Sequence, residues 1–177
     1  MIIAQLTDTH LSDIDAADPK FSARAENLRA CIADINDLDP LPDAVIHTGD
    51  ITQHGRAAEF DHARTLLRTL EAPLYVTPGN RDGRDGVVQA FAVDGYIMPD
   101  YAFVHYAIDE HPVRLVTVDS LGNGIGPKGD FCHDRLAALD ATLAVAPARP
   151  TALFLSLIHI SEPTRRTPIS YAVFCLK

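Results

Sequence analysis

Asp43-Ala44-Val45-Ile46-His47-Thr48-Gly49-Asp50 is the stretch on which the reading of this chain turns. Its apolar run is entered through Pro42 and stops abruptly at Gly-Asp. A short apolar run bounded by turn residues reads as a buried strand. A carboxylate just past the C-terminal end of such a strand stands where open α/β sheets place their ligands. Asp50 is therefore the first candidate for chemistry. Taken alone, Gly-Asp has a plainer reading as a turn, and the rest of the chain has to decide between the two.

Two more strand ends carry comparable groups. Ile2 to Leu6 is a short apolar strand ending in Thr7-Asp8-Thr9-His10. Phe21, Ala25, Leu28, Ile32 and Ile35 then recur at helical spacing, and that helix closes at Asp39-Pro40. After Gly55 a second helix carries Phe60, Ala63, Leu67 and Leu70 on one face, with Arg56, Glu59, Asp61 and Arg64 read as solvated. Pro73 introduces a third strand, Leu74 to Thr77, which stops at Pro78-Gly79-Asn80-Arg81-Asp82. Strand, helix, strand, helix, strand predicts a parallel sheet with right-handed crossovers. All three polar clusters then fall on one edge.

The second half changes character. Tyr101 to Ile108 and Val113 to Val118 are β-rich runs separated by Asp109-Glu110-His111-Pro112, which predicts an antiparallel hairpin. Asp119-Ser120 closes the second run, and Gly122 to Gly129 is a glycine-rich loop. Leu136, Leu139 and Leu143 mark a further helix ending at Pro147, and Thr151 to Phe154 begins another strand. His47, inside an apolar strand, is expected as a packed, hydrogen-bonded core residue. His105, His111 and His133 are expected at the surface or in the hairpin. His54, on the loop after Asp50, is a candidate for lining a substrate pocket.

Composition sets bounds on function. A chain of 177 residues with 47% hydrophobic and 22% charged residues is an ordinary globular protein long enough for one domain with a core. The net charge of −9 comes without a basic stripe, which argues against a long nucleic acid as partner. No apolar run approaches the roughly 20 residues of a membrane span, and no basic region precedes the first apolar run, so a secretory signal is not expected. Three widely spaced cysteines, Cys31, Cys132 and Cys175, are odd in number and argue against a disulfide framework. A reducing compartment, the cytoplasm, is the expectation.

In extended chain, residues two apart project to the same side, so Asp8 and His10 can converge on one ion. Asp50 can lie on the adjacent strand end, and a carboxylate has two oxygens with which to bridge two ions. Asn80 offers a neutral amide oxygen, and Gly79 before it permits a close backbone approach. Mixed oxygen and nitrogen ligands suit divalent Mn, Fe or Zn. A centre of two divalent metal ions is inferred, which lowers the pKa of a bridging water and clamps a phosphoryl oxygen. Each piece alone has a plainer reading: a turn acid with a hydrogen-bonded histidine for Asp8 and His10, and a left-handed Asn in a loop for Gly79 to Asp82.

Together these motifs resemble the calcineurin-like metallophosphoesterases, and within them the bacterial class III cyclic-nucleotide phosphodiesterases. The carrying residues are Asp8-Thr9-His10, Gly49-Asp50 with Ile51-Thr52-Gln53-His54-Gly55, Gly79-Asn80-Arg81-Asp82, Lys128-Gly129-Asp130 and Arg149-Pro150-Thr151-Ala152-Leu153-Phe154. The resemblance implies an α/β fold, the four-layer αββα metallophosphoesterase sandwich. It implies that Asp8 and His10 hold the first metal, that Asp50 bridges both and that Asn80 holds the second. The implied reaction is hydrolysis of a small phosphodiester, a 3',5'-cyclic nucleotide first and a glycerophosphodiester second, by an assembly compatible with a homodimer.

Two departures stand out. The family usually has His where Arg81 stands, contacting the scissile phosphate and assisting the leaving group. Arginine stays protonated, so Arg81 can clamp phosphate but is a poor proton donor, and Asp82, which orients that His in the family, could hold Arg81 instead. Arg81 and Asp82 are thus the catalytic candidates, with Arg81 and His54 binding substrate. The second departure concerns the later histidine ligands, which are absent, so the second metal shell is incomplete and an inactive fragment is an alternative. His159 has the wrong spacing from Phe154 for such a ligand. Leu155 to Arg165 resembles the in-frame translation of a transposase-type sequencing adaptor, and Ile169 to Leu176 resembles the constant segment after its index. Residues 1–154 are accordingly expected to be the N-terminal part of a phosphoesterase domain truncated at its C-terminus, and 155–177 a non-native tail.

Overall fold

The computed structural model describes residues 1–13, 19–122 and 129–156. The first half forms β1 (Ile3–Leu6), α1 (Pro19–Asn36), β2 (Ala44–His47), α2 (Ala57–Leu67) and β3 (Leu74–Val76). The three strands pair in parallel in the order β1-β2-β3, with Leu6 opposite His47 and His47 opposite Val76. Both crossovers step in the same direction across the sheet, and with right-handed connections this places α1 and α2 on the same face. Buried Ala25, Leu28, Ile32 and Ile35 of α1 and Phe60, Ala63, Leu66 and Leu67 of α2 belong to one hydrophobic cluster with β2, whose four residues are all buried.

The second half forms α3 (Arg84–Phe91), a 3-10 turn (Ala92–Asp94), β4 (Tyr106–Ile108), β5 (Arg114–Val118), α4 (His133–Ala144) and β6 (Thr151–Leu155). β4 and β5 are antiparallel and β5 and β6 parallel, giving a second sheet ordered β4-β5-β6. The sheets meet face to face. Tyr106 of β4 donates its hydroxyl to the Val76 carbonyl of β3 at 2.6 Å, and the Tyr75, Tyr96 and Tyr106 rings stack in series at 5.2 and 4.8 Å. Helices outside two central sheets make the αββα sandwich. Among the described residues no helix is long and apolar enough to cross a membrane, and Cys31 and Cys132 are free thiols.

Several expectations are corrected. The helix α3 was not foreseen, because Gly86, Val87 and Val88 are poor helix formers. Packing overrides that propensity: Val87 and Phe91 are buried, and a Cβ at Gly86 would lie 2.3 Å from the Phe60 ring. The strand expected from Tyr101 is confined to Tyr106–Ile108, and upstream of it the Val104 N–H is satisfied by the Asp119 side chain rather than by a ladder. Glu59 and Arg64 are not solvated, since Glu59 is buried and Arg64 forms a fork to Asp94 at 2.8 and 3.1 Å. His105 is buried, with Nε2 3.4 Å from the Thr142 hydroxyl. In α4 Leu136 does not face inward, being 48% exposed, whereas Leu139 and Leu143 are partly buried and Arg135 is fully buried. His159, Cys175 and Lys128 lie outside the described residues.

Arg135 turns inward because Asp119 is there to meet it. The Asp119 carboxylate, fully buried at the end of β5, pairs with Arg84 at 2.6 Å and with Arg135 at 3.9 Å. Arg135 also donates to Asp130 and to the Asp119 and Leu121 carbonyls. The Phe103 ring lies against both guanidinium groups, at 5.4 and 4.7 Å. Removing one member of such a buried network leaves a charge without its counterion, at a cost of about 3–5 kcal/mol. An Asp119→Ala variant is expected to lose stability of that order in urea unfolding, whereas Asp13→Ala, whose partner Arg56 is mostly exposed, changes it by less than about 1 kcal/mol.

Candidate metal centre

The ends of β1 and β2 continue to track each other beyond the strands. Asp8 N–H donates to Gly49 O, His10 N–H to Asp50 O and Leu11 N–H to Ile51 O, all at 2.9 to 3.0 Å. This zips the loop carrying Asp8 and His10 against the loop carrying Asp50. Asp8, His10 and Asp50 are the non-glycine residues with positive φ among those described, at +55°, +46° and +51°. Left-handed backbone costs a non-glycine residue roughly 1–2 kcal/mol, and such outliers concentrate where function dictates geometry.

The side chains so displayed converge. Thr7 Oγ donates to Asp8 Oδ2, and Arg81 N–H donates to Asp50 Oδ1 at 2.8 Å. The other oxygens, Asp8 Oδ1 and Asp50 Oδ2, stand 3.6 and 3.8 Å from His10 Nε2. These are too long for hydrogen bonds. One donor atom from each of the three lies within 4.8 Å of the others, and the 3.6 and 3.8 Å separations are short enough for donors that share an ion at about 2.1 Å from each. Burial raises the pKa of Asp50, opposed by the Arg81 N–H and by His10, and Asp8 raises it further. A cation relieves both penalties. Asn80 Oδ1 is buried with no hydrogen-bond partner, an acceptor suited to a metal. Asp8, His10, Asp50 and Asn80 thus present a donor set that could hold divalent ions.

The Asp50 and Asn80 loops touch at two glycines. A Cβ on Gly79 would fall 2.1 Å from Asp50 N and 2.3 Å from Asp50 Oδ1, and one on Gly49, whose φ is +103°, 2.6 Å from Gly79 N. Asp82 completes the contact. Its buried carboxylate accepts from Ile51 N–H, Thr52 N–H, Thr52 Oγ and Gly79 N–H at 2.8 to 3.0 Å. Asp82 was expected to hold the Arg81 guanidinium, and these bonds turn it instead to the backbone of both loops. Burial raises its pKa against those four bonds. Arg81 itself is exposed beside Asn80.

His47 is a hub behind Asp8, His10 and Asp50, as expected of a packed core histidine. Fully buried, it accepts the Gly49 N–H on Nδ1 at 3.2 Å, which leaves Nε2 to donate to Thr9 Oγ at 3.0 Å. Thr9 Oγ donates onward to Ile51 O. Burial first, and His10 second, lower the His47 pKa to about 3. Sequence reasoning missed Glu59, whose place three residues after Arg56 is the signal of a capping box. His54 is half-exposed, its Nδ1 2.7 Å from Glu59 Oε1.

Residues 1–153 match the model of the calcineurin-like phosphoesterase family, and the chain belongs to that family. It is 30% identical over 155 residues to the probable glycerophosphodiester phosphodiesterase GpdQ of Arcobacter nitrofigilis, covering 88% of this chain and 56% of that protein. It is 36% identical over 156 residues to a probable cyclic nucleotide phosphodiesterase of Rhodopseudomonas palustris, covering 84% and 54%. With the 3',5'-cyclic adenosine monophosphate phosphodiesterase CpdA of Escherichia coli K12 it shares 27% identity, covering 86% and 54%. The chain thus spans about half the length of these curated relatives.

Two outcomes follow from this geometry. A Gly79→Ala variant is expected to separate the two loops and weaken Mn binding at least about tenfold by calorimetric titration, since the methyl has backbone on its far side. His47 binds a proton near pH 6.5 when unfolded and only near pH 3 when folded, so stability declines as pH falls through that window. Between pH 6.5 and 4.5 the metal-free protein is expected to lose about 2 kcal/mol from this group, and a His47→Gln variant to show a correspondingly flatter profile in urea melts.

Proposed function

We propose that this chain is the N-terminal part of a metal-dependent phosphodiesterase acting on a small phosphodiester, a 3',5'-cyclic nucleotide first. The observation that carries the reading is the convergence of Asp8 Oδ1, His10 Nε2 and Asp50 Oδ2 at the ends of two parallel strands. In this reading Asp8 and His10 hold the first ion, Asp50 stands between the two and Asn80 serves the second. Bound divalent ions supply a hydroxide near neutral pH and neutralise charge on the phosphoryl oxygens. Arg81, exposed next to Asn80, clamps a phosphate oxygen through its fork of donors. His54 lines the same edge. Asp82 acts by positioning, fixing the distance between the Asp50 and Asn80 loops.

The names of the relatives divide between glycerophosphodiester and cyclic-nucleotide substrates, and the cyclic nucleotide is preferred here on the motif resemblance after Asp50. An inactive fragment is a second reading, favoured by the absence of the later histidine ligands that the resemblance calls for. The reading of 155–177 as an adaptor-derived tail belongs to this proposal and rests on that stretch's own sequence.

The test is to load the full chain with Mn and assay cyclic AMP and glycerophosphoethanolamine side by side, with and without chelator. Chelator-sensitive hydrolysis with preference for cyclic AMP is expected, and Arg81→Ala should raise KM about tenfold. Binding of a single ion without turnover of either ester would establish the fragment reading instead.

A further inference from the structure

Breaking a phosphodiester bond leaves an alkoxide that needs a proton, and a guanidinium such as that of Arg81 is no source of one. His10 turns Nε2 towards the two carboxylates, and both ring nitrogens of His47 are engaged in the interior. His54, four residues past Asp50, is placed differently. Its Nδ1 lies 2.7 Å from Oε1 of Glu59, a carboxylate with no exposure at all, while the His54 side chain is 42% exposed. Glu59 Oε2 also accepts the N–H groups of His54 at 2.8 Å and Arg56 at 3.1 Å. Burial alone would raise the pKa of Glu59, and the bonds from His54 and Arg56 outweigh it, so that the carboxylate stays ionised. An ionised acceptor on Nδ1 fixes the proton there and leaves Nε2 as the working nitrogen, the arrangement of a base or acid oriented by a third group.

The surroundings hold this imidazole at the same edge as the metal ligands. Phe21 packs edge-on against the ring at 6.4 Å between centroids. Arg24, one turn along α1, donates to the His10 carbonyl at 3.0 Å and to the Gln53 side chain at 2.5 Å, tying the residue before His54 to a candidate ligand. On the other side Gly55, with φ of +72°, runs so close to the Arg81 carbonyl that a Cβ would lie 3.0 Å from it. His54 is therefore flanked by groups anchored to His10 and to Arg81.

We propose that His54 protonates the leaving oxygen through Nε2, with Glu59 as the positioning residue that orients the ring. The inference rests on the phosphodiesterase reading given above. As a water oxygen bonds to phosphorus and releases one proton to solvent, the bond from phosphorus to the leaving oxygen breaks and its electron pair stays on that oxygen. The proton on Nε2 of the imidazolium passes to it, which yields the free alcohol and a neutral imidazole still hydrogen-bonded through Nδ1 to Glu59. Solvent then returns a proton to Nε2.

A leaving-group comparison on the full Mn-loaded chain tests this. Bis(4-nitrophenyl) phosphate releases an aryloxide that departs without a proton, and glycerophosphoethanolamine releases an alkoxide that does not. His54→Gln is expected to reduce kcat on the alkyl ester at least about 100-fold and on the aryl ester only about threefold, and Glu59→Gln to show the same asymmetry. Equal losses on both esters from His54→Gln would overturn the role of His54 while leaving the hydrolase reading intact. If the unsubstituted chain turns over neither these esters nor cyclic AMP, whose cleavage also frees an alkoxide, both readings fall together. Should Glu59→Gln fail to fold, the exposed position of His54 makes its variant decisive alone.

Discussion

The candidate site depends on one close approach, that of the Gly49-Asp50 turn to the Gly79-Asn80 turn. Backbone there occupies the space that a methyl group would need. Asp82 locks the approach from below with four accepted hydrogen bonds, and the Asp50 carboxylate closes it from above by accepting the Arg81 N–H. A carboxylate and an amide oxygen from different strands can share a bimetallic centre only if their loops are held this near, and only glycine allows it.

Around that contact the fold spends stability to place ligands. Asp8, His10 and Asp50 sit in left-handed backbone that none of them favours, and Asp50 is a buried acid facing another acid. The hydrogen bonds from the loop after β1 to the Asp50 loop and the buried chain from His47 through Thr9 to Ile51 hold this arrangement in place. Loops fixed in this way would present a divalent ion with donors already assembled. The Arg84, Asp119 and Arg135 network performs a comparable service for the second sheet, joining α3, the end of β5 and α4.

Much of the site was legible because its signals are local. Asp8 and His10 stand just past one strand end, Asp50 follows an apolar run and Asn80 follows a glycine, so the strand ends alone placed them on one edge, while the convergence of Asp8 and His10 comes from left-handed backbone and not from the extended chain first expected. Asp82 stood out in the sequence as a candidate, but its partners did not: the donors that reach it come from residues 30 or 31 positions away and from Gly79. Glu59 looked like one charge among several on a polar helix face. Its burial depends on the loop from His54 to Arg56 folding back over it, which helical spacing does not reveal.

By itself, the sequence determined the order of strands and helices as far as β3, the parallel sheet they form and the edge on which the candidate site is placed, because apolar periodicity and turn residues act within a few residues of one another. Tertiary structure decided what depends on distant partners. It made a helix of Arg84–Phe91 by giving Val87 and Phe91 a core to enter and Gly86 a ring to rest on, and it turned Arg135 inward because Asp119 waits there. It also made a pair of His54 and Glu59, since a carboxylate keeps its charge in the interior only when enough donors surround it.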